Sequence, residues 1–152
     1  MATVTEAMPQ MPAELVTFLR QPRLVQLTTL DPAGAPFVNV ISWVLAHSAG
    51  QVRLVGDTRT QFMQNIRSDG RVALTVYGAG SAWTIYGTAT VVAHGLPGLP
   101  PTFALVEVTG LQVFSVLFLG ATLTQEPQWA TSVAEAAEFD RRVFEAMGAV
   151  YQ

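Results

Sequence analysis

The spacing of apolar and polar positions changes several times along the chain, and each change marks an element. Leu15, Phe18 and Leu19 recur at helical spacing behind Pro12, and Pro22 closes the run, which predicts a short helix over 12–20. Residues 24–30 are β-rich and end in Asp31, Pro32, Ala33 and Gly34, a turn sequence that predicts a hairpin. The second arm, 36–45, carries Phe37, Val38, Val40, Ile41, Trp43 and Val44, and so continuous an apolar run predicts a strand covered on both faces. After the loop of His47, Ser48, Ala49 and Gly50 come a third strand over 51–55 and a helix ending near Asp69. Thr58 and Gln61 have the spacing of a capping box, in which the hydroxyl and the amide satisfy free backbone N–H groups; Phe62 and Ile66 then share one helix face.

Residues 71–77 and 82–92 form a second hairpin about Gly78, Ala79 and Gly80. The three prolines and two glycines of 93–101 exclude regular structure there, and strands over 102–109 and 111–119 follow. Ser132 and Glu135 repeat the capping pattern ahead of a helix over 131–148, with Ala136, Phe139, Val143 and Met147 on its apolar side. Residues 1–11 are expected to be flexible. The order, helix, six to seven short strands with one helix among them, then helix, predicts a single mainly-β domain over 1–152 built as a closed or nearly closed antiparallel barrel.

Composition narrows what such a barrel can do. With no cysteine, disulfides, thiolate metal sites and cysteine nucleophiles are excluded. All eight basic residues are arginine, dispersed along a chain of net charge -3, so no nucleic-acid partner is expected. Charged residues make up 12% against 50% hydrophobic, with a mean hydropathy of +0.35; a lone monomer has too little polar surface to cover itself, which predicts association with a second copy. The longest apolar stretch, 113–123, is broken by Ser115 and falls far short of the roughly 20 residues of a membrane span, so no membrane partner is expected. The first residues lack the basic and apolar regions of a secretory signal, and a cytoplasmic location is the expectation.

Catalytic groupings are sparse. Neither a G-x-G-x-x-G nor a P-loop is present, and Gly78, Ala79 and Gly80 follow a strand without opening a helix, as a turn does. His47 and His94 stand alone in loops and the acids are dispersed, so no metal centre is expected. Ser42 and Ser115 have no histidine near in sequence. No side chain is assigned a catalytic role; if the protein is an enzyme, a cofactor must carry the chemistry.

One ordered series of weak motifs adds to this. N-V-I-S-W-V over 39–44, V-R-L-V over 52–55, N-I-R-S-D-G-R-V-A-L over 65–74 and Y-G-T-A-T-V over 86–91 resemble the pyridoxamine 5'-phosphate oxidase-like split-barrel family. The resemblance runs from about Phe18 to Val92 and implies a Greek-key split barrel that binds FMN as a homodimer. In that family the second strand lies along the isoalloxazine, the end of the third strand and the following helix start hold the phosphate, and the partner's fifth strand completes the site. Carried over, Ile41, Ser42 and Trp43 become the ring wall, and Val55, Gly56, Asp57, Thr58, Arg59, Thr60 and Gln61 the ribityl-phosphate side. Trp83, at the start of the fifth strand, is placed near the flavin of the other subunit.

Two departures stand out. Phe62 occupies the position where the family carries a basic residue, leaving Arg59, or Arg53, to take over the phosphate. The true oxidases end in an arginine-bearing strand, whereas Phe144, Glu145, Ala146 and Met147 read as helix, which argues against pyridoxal phosphate synthesis. Three readings follow: an FMN-dependent oxidoreductase fed by a donor such as NADH or NADPH, a flavin-binding module without turnover, and a flavin-free dimer with a stress-related or scaffold role.

Overall fold

A computed structural model describes residues 6–149, in the order α1 (Ala13–Phe18), β1 (Val25–Leu30), β2 (Pro36–Ile41), β3 (Val44–Ser48), β4 (Gln51–Asp57), α2 (Gln61–Ser68), β5 (Arg71–Gly78), β6 (Ser81–His94), β7 (Phe103–Ser115) and α3 (Ala134–Ala149). The described strands form one antiparallel sheet in the order β2-β1-β5-β6-β7-β4-β3. The two edges, β2 and β3, are neighbours in sequence, joined only by Ser42 and Trp43. The sheet therefore curls until its edges meet at that corner, but it does not close.

The single strand expected over 36–45 breaks at this corner. Burial on both faces does not hold for β2 either: as an edge strand it alternates, with Val38 55% and Val40 58% exposed. The strand buried on both faces is β4. Val52 and Leu54 face the main core with Leu27, Leu74 and Ile85, while Val55 faces a second cluster made with Phe103, Leu105, Val143 and Met147. That second cluster exists because α3 lies across β4 and β7, and its predicted apolar stripe points inward, with Val143 and Met147 fully buried. Beneath α3 lies Arg53, 2% exposed, whose Nη1 donates to the Met147 carbonyl at 2.9 Å; a cation suits the electron-rich C-terminal end of a helix.

Two further expectations are corrected. The strands over 102–109 and 111–119 are one strand, β7: Gly110, at φ +64, lets Gly110 and Leu111 stand opposite Gly87 alone in β6, a bulge rather than a turn. The sharp turn lies where it was expected, at Ala79 and Gly80, both with positive φ, between β5 and β6. The N-terminal segment is tied down as far as it is described. Met8 exchanges backbone hydrogen bonds with Val113, and Met11 is 3% exposed; residues 1–5 of the segment expected to be flexible lie outside the described residues. No described helix is long and apolar enough to cross a membrane.

Candidate functional site

The open corner of the sheet holds a cavity of about 390 Å³, within the range of ligand sites. Val40, Ile41, Ser42 and Trp43 wall one side, Val55, Gly56 and Asp57 another, and Thr60, Phe62 and Phe103 close it. The fold produces this space in three steps. The break between β2 and β3 turns Ile41, Ser42 and Trp43 toward the gap. The register pairs Asp57 with Phe103 and so brings the start of β7 beside the end of β4. Finally, α2 begins directly beyond β4, held by Asn65, whose Nδ2 donates to Thr29 Oγ1 at 3.0 Å.

Gly56 sets how closely that helix approaches. A Cβ there would stand 2.7 Å from the Met63 Cγ and Sδ and 2.9 Å from the Phe62 Cζ, so only glycine fits without displacing those two side chains. Trp43 is fixed in turn. Its ring packs 5.7 Å from Phe103 and 5.5 Å from Phe139, centroid to centroid, and its indole N–H donates to Asp140 Oδ1 at 2.8 Å. The C-terminal helix, which has no chemical signature in the sequence, thus positions one wall of the cavity.

Of the eleven residues the sequence and its resemblance nominated, Ile41, Ser42, Trp43, Val55, Gly56, Asp57 and Thr60 line this one space. Thr58, Arg59, Gln61 and Trp83 do not. The Thr58 hydroxyl donates to the Thr102 carbonyl at 2.8 Å and the Gln61 Nε2 to Asn65 Oδ1 at 2.8 Å, so the capping box is absent; the N-cap is Thr60, whose hydroxyl donates to the Asp57 carbonyl instead. Trp83 is 6% exposed in the main core, its indole N–H on the Gly78 carbonyl. Phe103, Asp140 and Phe139 are the residues that sequence reading missed. Asn39, one strand repeat from Ile41, keeps a buried Oδ1 with no hydrogen-bond partner but is not among the residues that line the cavity.

Electrostatically the two ends differ. At the ring end the walls are apolar and aromatic. At the other end stands Asp57, the only ionisable residue in the lining among the described residues. Hydrogen bonds from the Arg59 side chain and backbone hold its carboxyl at about 2, below the ordinary 3.8, so it is anionic at neutral pH. Arg59 itself is 75% exposed and spends its guanidinium on Asp57, with Nη2 to Oδ2 at 2.7 Å and Nε to Oδ1 at 3.0 Å. Arg53 points beneath α3 and is no substitute. A flavin ring fits the first end; a phosphate dianion does not fit the second. Both histidines are exposed and far apart in the fold, His47 on β3 and His94 at the end of β6, and the described residues hold no cluster of three or more metal-ligating side chains.

A curled antiparallel sheet that does not close, with a cavity at its open corner, defines a protein of the split-barrel type. The family model for pyridoxamine 5'-phosphate oxidase matches residues 11–96, and the chain belongs to that family. Among solved structures, a candidate pyridoxamine 5'-phosphate oxidase of Lactobacillus delbrueckii superposes with a TM-score of 0.61 at 20% identity, over 72% of this chain and 99% of the other. HupZ of Group A Streptococcus gives 0.59 at 17%, over 74% and 98%, and an F420 reductase 0.50 at 20%, over 61% and 90%. These likenesses speak for the fold. No curated protein matches the chain.

Proposed function

We propose that the protein binds a flavin in the cavity at the β2–β3 corner and works as a homodimeric, cytoplasmic flavin-dependent oxidoreductase that does not make pyridoxal phosphate. The observation that carries the reading is the convergence of Ile41, Ser42 and Trp43 with Val55, Gly56 and Asp57 around one ligand-sized space. Bound there, a flavin, with FMN the form the family resemblance implies, supplies two-electron chemistry from a donor such as NADH or NADPH. The chain's own residues bind and orient: Ile41 and Val55 give apolar walls, and Trp43 and Phe103 exclude water.

The homodimer is supported by the outer face of the sheet. Across it the register runs Val40, Gln26, Thr75, Thr84, Phe114 and, one repeat on, Val38, Thr28, Ala73, Tyr86, Gln112, ten partly or largely exposed positions without a charge. Against pyridoxal phosphate synthesis stands α3, a helix where the resemblance calls for an arginine-bearing strand.

Titration of riboflavin or FMN with the purified full chain is expected to quench flavin fluorescence, and NADPH is expected to bleach the complex anaerobically until air restores it. No binding of either flavin removes the reading. Binding without bleaching by NADH or NADPH makes the protein a carrier or sensor. Phe62 and the Asp57–Arg59 pair favour the second reading, a flavin-free dimer with a stress-related or scaffold role, which the first titration decides.

A further inference from the structure

We infer that the cavity accepts an uncharged isoalloxazine of the riboflavin type and rejects its phosphorylated forms, FMN among them. The inference rests on the flavin reading above and narrows it to a ligand class.

Every side-chain donor that the sequence assigns to the phosphate is engaged inside the chain. Thr58 donates to the Thr102 carbonyl, Thr60 to the Asp57 carbonyl and Gln61 to Asn65. Arg59 closes on Asp57, and Arg53 is buried against the end of α3. Among the described residues no arginine lines the cavity. Phe62, at the second position of α2, lays its ring against Gly56 and fills the place a cation would need with apolar surface.

What a phosphate would meet is the carboxylate of Asp57, ionised at neutral pH, and the main-chain N–H groups at the start of α2. A helix start carries about half a positive charge, while Asp57 carries a full negative one only partly answered by a solvent-exposed arginine. The balance at that end is repulsive toward a dianion and indifferent to a neutral ribityl hydroxyl. Selection here works by exclusion: the ring is held alike in both ligands, and the anionic end penalises only one.

Parallel titrations of the full chain with riboflavin and with FMN, at low and at high salt, test this. Riboflavin is expected to bind about fivefold or more tighter than FMN at low salt, with the gap narrowing as salt screens Asp57. FMN binding as tightly as riboflavin or tighter overturns the inference and leaves the flavin reading intact, whereas failure of both ligands to bind overturns both. D57N removes the carboxylate and frees Arg59 at an exposed position, and it is expected to raise FMN affinity relative to riboflavin by about tenfold. An unchanged ratio in D57N also overturns it. F62K, which puts a cation at the start of α2, is expected to shift the ratio in the same direction.

Discussion

At the residue scale, the cavity depends on one missing Cβ. Gly56→Ala would drive a methyl group into Met63 and Phe62, whose side chains must shift within a packed corner to admit it. The expected outcome is a loss of about 1–3 kcal/mol in urea unfolding, together with weaker ligand binding, because the start of α2 closes the cavity. In the sequence Gly56 is only a candidate that the resemblance implies; the close approach of Met63 and Phe62 that requires a small residue there is visible in the fold alone. Ile41, Ser42, Trp43, Val55, Gly56, Asp57 and Thr60 could be nominated before the fold was known because an ordered series of motifs resembles the family, not because of their own chemistry. Side-chain direction was not legible in the same way. Thr58 turns to Thr102, Arg59 to Asp57 and Trp83 to Gly78, and each choice is made by a neighbour that chain order does not single out.

Among the elements, α3 changes the picture most. Its stripe of Ala136, Phe139, Val143 and Met147 could be read from helical period, but the strand face it covers could not. By lying across β4 and β7 it buries Val55 and Arg53 from the side opposite the main core, and through Asp140 it pins Trp43 at the cavity wall. Met147→Ala, at a fully buried position, is expected to cost about 2–5 kcal/mol in a denaturant titration. The β2 and β7 corrections share one cause. An apolar run gives the length of extended chain and says little of where it bends: the corner at Ser42 and Trp43 breaks one expected strand, and the bulge at Gly110 fuses two.

For the whole molecule, the open sheet leaves β2 as an edge beside an uncharged outer face. Paired substitutions V38E and V40E are expected to turn a dimer into a folded monomer, read as a halved mass by light scattering with an unchanged circular dichroism spectrum. A mass already monomeric in the parent protein removes the dimer. The sequence by itself determined the mainly-β class, the hairpins, the helix between β4 and β5, the absence of thiol chemistry and the family, because period, turn residues and composition act locally and survive in chain order. Only the tertiary structure decided that the barrel stays open, that the cavity lies at its open corner, that α3 holds Trp43, and that the donors beside Asp57 are already engaged. The fixing of Thr58 and of Trp43 depends on partners 44 and 97 positions away, Thr102 and Asp140, and a hydrogen bond at that separation leaves no local pattern to read.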